Sequence, residues 1–146
     1  MYERILIPTD GSEVAQKGVD HGLSLAKSVG AKVTVVTVTE RFPVQAGPDW
    51  IPGPAEIADY DARQMEWATK VLGEIKVAAD RLGVDAETVH VPEAQPAEAI
   101  IATANKRHCN LIVMASHGRR GLRRLLLGSQ TSEVLVGSPV PVLVVK

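Results

Sequence analysis

Short runs of consecutive apolar residues alternate along this chain with longer stretches in which apolar residues recur every three or four positions. The runs are Ile5-Leu6-Ile7, Val33 to Val38, Leu111-Ile112-Val113-Met114 and Val142-Leu143-Val144-Val145. A strand covered on both faces reads this way, apolar without alternation, and in Val33 to Val38 only threonines interrupt it. Val84 to Val91 is a weaker strand with alternating character. Between the runs, Ala15, Val19, Gly22, Ala26 and Val29 mark a helix over Ser12–Val29. Asp10 or Ser12 can cap its first turn, and Gly30 stands where a helix C-terminal glycine belongs. Ile57, Tyr60, Trp67, Val71, Ile75, Ala78 and Leu82 give one apolar face to a long helix from about Ala55 to Leu82, stopped by Gly83. Pro96 opens a further helix at its first position, with Glu98 in the first turn, reaching about Arg107. A short helix from about Gln130 to Val136 ends at Gly137.

Residues 40–55 break the pattern with Pro43, Gly47, Pro48, Pro52, Gly53 and Pro54, which marks a long loop. The resulting order is β-α-β-α-β-α-β-α-β. Parallel strands need crossover connections, and right-handed crossovers put helices on both faces. The pattern therefore predicts one α/β domain over residues 1–146, a five-stranded parallel sheet, doubly wound and Rossmann-like. Ligands bind such sheets beyond the carboxyl ends of the strands, where the strand order reverses.

Composition narrows the function. With 45% hydrophobic and 23% charged residues in 146, the chain can bury a core and is not disordered. A net charge of -1 gives no global field toward nucleic acid or anionic lipid. Aromatics are 3%, too few for a base-stacking platform, so no nucleic-acid partner is expected. No apolar run approaches the ~20 residues of a membrane helix, and the apolar run before Pro8 is too short for a signal core. The expectation is a cytoplasmic protein without a membrane partner. The one cysteine, Cys109, precedes an apolar strand and reads as a small buried thiol.

Two strand ends carry chemistry. Pro8-Thr9-Asp10-Gly11-Ser12 follows the first strand. Asp10 there can accept hydrogen bonds from ribose hydroxyls or cap the following helix, and capping is the commoner use. Met114-Ala115-Ser116-His117-Gly118 follows the fourth strand, and Gly128-Ser129 opens the next helix. A helix N-terminus offers unpaired N–H groups and partial positive charge, a natural seat for phosphate. Glycines let the backbone approach an anion, and Ser129 and Thr131 add hydroxyls. The same residues also suit a plain loop with glycine turns and Ser129 as cap.

Taken in order, Ile5 to Ser12, Leu111 to Met114, Ser116-His117-Gly118, Leu125-Leu126-Leu127-Gly128-Ser129 and Pro141 to Lys146 resemble the universal stress protein family over the whole chain. The nucleotide-binding branch of that family carries a glycine, two residues, a glycine, nine residues, then glycine and serine or threonine. Gly118, Gly128 and Ser129 match the later elements, and Ala115 replaces the first glycine. Alanine there costs ~1–2 kcal/mol if the backbone is left-handed, clashes if a ligand must approach closely, and otherwise costs little.

The resemblance implies roles. Asp10 would hold the ribose. Pro8, Thr9 and the backbone of Val38 would line the adenine, flanked by Met114 and Ala115. Gly118, Gly128, Ser129, Gln130 and Thr131 would hold phosphates through amides and hydroxyls, with His117 as a further loop or phosphate partner. ATP, or AMP or ADP, is the implied ligand, with Mg²⁺ riding on its phosphates. Arg119, Arg120, Arg123 and Arg124 would cover the triphosphate, meet a nucleic-acid or protein partner, or form a solvated loop. Trp50 could fold over adenine, tip an exposed loop or meet a second copy, whereas Trp67 reads as core. The implied activity is regulatory, by nucleotide-dependent change of shape or partner, with slow hydrolysis at most. A nucleotide-free dimeric stress protein and an ATP-cleaving α/β enzyme are the alternatives, and no nucleophile with a general base supports the latter. Val142–Val145, apolar on both faces at a sheet edge, implies a homodimer.

Overall fold

The computed structural model describes residues 1–43, 50–118 and 127–146. Five strands, β1 (Arg4–Pro8), β2 (Lys32–Val38), β3 (Ala86–Val91), β4 (Leu111–Ala115) and β5 (Val142–Val145), form one parallel sheet in the order β3-β2-β1-β4-β5. Helices α1 (Glu13–Val29), α2 (Pro54–Leu82), α3 (Pro96–Lys106) and α4 (Ser129–Gly137) connect them. The chain winds outward from β1 through β2 to β3, then crosses back to β4 and out to β5. This is the doubly wound sheet that the alternation of apolar runs and helical stretches predicts, with its reversal between β1 and β4.

The period of two along each strand sorts the core. Ile5, Ile7, Val33, Val35, Leu111 and Val113 pack with Val19 and Leu23 of α1 and Leu72 and Ile75 of α2. Leu6, Val36, Ile112 and Met114 pack on the other face with Ala97, Ile100 and Ala104 of α3 and Val134 of α4. Ile5, Leu6 and Ile7 have no exposed surface, and each such side chain contributes about 1.5–3 kcal/mol of burial. Gly18 lets α1 lie directly on β4: a Cβ there would stand 2.8 Å from the Ala115 amide nitrogen.

Helix ends follow the expected signals. Ser12 caps α1 by accepting from the Ala15 N–H, and Gly30 and Gly83 close α1 and α2 in the left-handed conformation. The buried face of α2 departs from the expected stripe. Its buried residues are Ala68, Leu72, Ile75 and Ala79, whereas Ile57 and Leu82 are each 37% exposed. The reason is length. The 29 residues of α2 span about 43 Å, against about 20 Å for the strands, so its first half overhangs the sheet. Trp67 lies where the overhang meets the core, half-buried over the Gly11 turn. Cys109 is buried as expected, and burial pushes its thiol pKa up. Among the described residues, no helix is long and apolar enough to cross a membrane.

Candidate functional site

The ladder between β1 and β4 covers only Ile5–Leu111 and Leu6–Ile112, whereas β4 stays paired with β5 as far as Ala115–Val145. The sheet is therefore open between the ends of β1 and β4, and the two loops singled out above form the walls of this crevice.

One wall is the turn from β1 to α1. Thr9 is tied to β2 from both sides: its N–H donates to the Val36 carbonyl at 2.9 Å, and its carbonyl accepts from Thr37 Oγ1 at 2.8 Å. The Gly11 N–H donates to Thr9 Oγ1 at 3.1 Å and the Ser12 N–H to Asp10 Oδ1 at 3.0 Å. Ser12, not Asp10, is thus the cap of α1, and Asp10 shapes the turn before it. The other carboxylate oxygen of Asp10 lies against Gly118, where a Cβ would be 2.5 Å from Oδ2. Asp10 is only half-buried and so reaches from one wall to the other.

The second wall is made of Ala115 to Gly118 and of Gly128 with the first turn of α4. Ala115 is a strand residue, and among the described residues the non-glycine positions with positive φ are Glu93 and His108. The left-handed cost considered for alanine at this position therefore does not arise. By strand alternation its methyl goes with Val113 toward α1. Gly128 leads into α4 with no side-chain cap, and the first turn holds no acidic residue. The Gly128 N–H donates to the Ser116 carbonyl at 2.7 Å. A Cβ on Gly128 would stand 2.9 Å from His117 Cα, so only glycine allows this close passage. The N–H groups of Ser129, Gln130 and Thr131 then begin the helix without intrahelical acceptors.

The structure thus brings Asp10, His117, Gly118, Gly128 and Ser129 together. It gives two other side chains different work. Thr131 is buried, and its Oγ1 donates to the Ala115 carbonyl at 2.9 Å. Gln130 Oε1 accepts from the Ala97 N–H and from Gln95 Nε2, both at 3.1 Å, so its side chain is engaged with the start of α3. His117 Nδ1 is 3.1 Å from Ser116 Oγ. Met114 is buried on the α3–α4 face, with Val38 packed at the margin of that cluster and Pro8 buried at the end of β1. Beyond Val38, an open cleft of about 800 Å³ continues past Val91, Pro96 and Gln130, with Glu40, Arg41, Glu93 and Glu98 at its rim.

The Trp50 ring lies 5.9 Å from that of Phe42, which in turn meets Tyr60 of α2 edge-on at 5.1 Å. Arg119, Arg120, Arg123 and Arg124 lie outside the described residues. The described residues include no group of three or more His, Cys, Asp or Glu able to hold a metal ion. Burial lowers the pKa of His90, which pairs with Thr39 at 2.8 Å on β3, outside the crevice. Sequence reasoning missed Gly18 and Gln95. Their signals were a glycine inside a helical pattern and a side chain with a cap's reach directly before Pro96.

The sequence profile of the universal stress protein family matches residues 1–146. The chain belongs to the universal stress protein family. It is 35% identical to universal stress protein MJ0531 of Methanocaldococcus jannaschii, over all of this chain and 83% of that one. Among solved structures it is similar to hypothetical protein MJ0577 of the same organism, with a TM-score of 0.82, 28% identity and coverage of 100% and 96% of the two chains. The fold is also shared with a universal stress protein from Archaeoglobus fulgidus solved in complex with dAMP, with a TM-score of 0.69, 20% identity and coverage of 99% and 98%. The two solved structures are matched over nearly their full length, so the crevice falls within the shared part of the fold.

Proposed function

We propose that this universal stress protein binds an adenine nucleotide, ATP in the first place, in the β1–β4 crevice and acts as a regulatory homodimer rather than as an enzyme with a dedicated catalytic apparatus. The observation that carries this reading is the open first turn of α4 set opposite Asp10. Donors without acceptors at a helix start attract phosphate, and a carboxylate across the gap accepts from ribose hydroxyls. In this reading Asp10 holds the ribose. Gly118, Gly128 and the amides of Ser129 and Gln130 hold phosphates, and His117 borders them. Pro8, Thr9, Val38, Met114 and Ala115 line the base side, continuous with the cleft beyond Val38. The dAMP complex of the Archaeoglobus fulgidus protein supports the ligand class. Mg²⁺ would sit on the phosphates and water, since hard cations take oxygen ligands and the crevice supplies a single carboxylate.

The β5 edge supports a second copy of the chain as partner. Leu143 on β5 and Leu135 and Val136 on α4 are 37%, 46% and 88% exposed, an apolar margin beside an unpaired strand edge. A buried single thiol suits the cytoplasm as the working compartment.

Denaturing the purified protein and chromatographing the released material, together with sedimentation of the native sample, tests both claims. The expected result is adenine nucleotide near one per chain and a dimer at micromolar concentration. Stripped protein with ATP and Mg²⁺ at about 100 times Kd should gain ~2.7 kcal/mol and melt several degrees higher. No shift in millimolar ATP and Mg²⁺ would sink the nucleotide reading, and a monomer would sink the dimer.

A further inference from the structure

We propose that Thr131 is a positioning residue, whose buried hydroxyl bolts the first turn of α4 to the end of β4 and so sets where the open amides of Ser129 and Gln130 stand. This rests on the nucleotide reading above and concerns how its phosphate seat is held. Thr131 is 2% exposed and its Oγ1 donates to the Ala115 carbonyl at 2.9 Å. That carbonyl is one half of the peptide unit joining Ala115 to Ser116. The other half, the Ser116 N–H, donates to the Val145 carbonyl on β5 at 2.8 Å. The two halves of a trans peptide point in opposite directions, so the Ala115 carbonyl points away from β5 and into the opening between β1 and β4. No strand reaches it there, because the β1–β4 ladder stops at Leu6–Ile112. Thr131 supplies the missing partner.

The peptide units on either side are held as well. Gly18 of α1 packs against the one before, where a Cβ would stand 2.8 Å from the Ala115 nitrogen, and in the one after the Ser116 carbonyl takes the Gly128 N–H at 2.7 Å. The start of α4 therefore hangs from the end of β4 by two bonds, one before Ser129 and one after Gln130. A hydroxyl so placed donates inward, to backbone, and the phosphate is held by the amides it positions.

Two variants separate this from a purely structural part. Thr131→Val keeps the branched shape and removes the donor, and Thr131→Ser keeps the donor. Each is titrated calorimetrically with ATP plus Mg²⁺, tripolyphosphate and adenosine, and amide hydrogen exchange is followed in the free protein. Thr131→Val should weaken ATP and tripolyphosphate about tenfold and leave adenosine within about twofold, the scale of one lost hydrogen bond. It should also speed exchange at Gly128 and Ser132, and Thr131→Ser should restore both readouts. Native-like ATP affinity in Thr131→Val, equal losses for ATP and adenosine, or failure of the serine variant to rescue would overturn the proposal. If the native chain binds neither ATP nor tripolyphosphate, it is the nucleotide reading that falls. Exchange at Gly128 then decides the bolt alone, and unchanged protection in Thr131→Val would overturn it.

Discussion

Helices α1 and α4 begin at the mouth of the same crevice, yet their first turns are completed in opposite ways. The start of α1 is closed by its own chain. Ser12 caps Ala15, Asp10 takes the Ser12 N–H, Thr9 takes the Gly11 N–H, and Glu13 adds negative charge to the first turn. The start of α4 has a glycine in place of the cap and no acid. The difference gives the crevice a polarity. One wall ends in a carboxylate that accepts, and the facing wall ends in amides that donate. A ligand with hydroxyls at one end and an anion at the other fits that arrangement in one direction only.

The comparison can be broken most severely at Gly128. In Gly128→Val the new side chain would occupy the space of the His117 backbone, 2.9 Å from Cα, and push the start of α4 away from β4. Nucleotide binding should be lost in calorimetry, and overpacking should cost about 1–3 kcal/mol of stability, read from chemical denaturation. Ser129→Glu instead makes α4 resemble α1 by placing an acid in its first turn. The free protein should gain about 0.3–1 kcal/mol from the helix dipole and melt slightly higher. ATP affinity should fall by about tenfold or more, because the carboxylate occupies the phosphate seat as a like charge. A gain in ATP affinity would show that the first turn of α4 faces something other than an anion. The smallest effect is expected at Ala115→Gly. Ala115 is an extended strand residue paired with Val145, so glycine relieves no left-handed strain. Affinity should stay within about twofold, whereas relief of such strain would tighten binding by roughly five- to thirtyfold.

Much of this arrangement was legible in the residues. Ile5–Ile7 and Leu111–Met114 read as strands because both faces of the sheet are covered, and Ser12 and Gly30 marked the limits of α1 by the chemistry of caps. The overhang of α2 was not legible. A helical period says which side of a helix is apolar, not how far the sheet beneath it extends, so Ile57 looked like Ile75. At the crevice the residue types were readable from the sequence, but the direction of their bonds was not. Asp10 as cap or as ligand group depended on Ser12 taking the cap. Thr131 as phosphate donor or as bolt depended on the Ala115 carbonyl having lost its strand partner, a consequence of where one ladder stops. Gln130 is the same case, since its amide is drawn toward Ala97 by a helix more than thirty positions away.

The bond from Ser116 to Val145 makes the last strand a wall of the crevice and not merely a sheet margin. Trimming the chain back past Val145 would take away an acceptor used about thirty positions earlier. A substitution that disturbs β5 at Val145 therefore acts on the proposed nucleotide crevice from a strand that no ligand need touch.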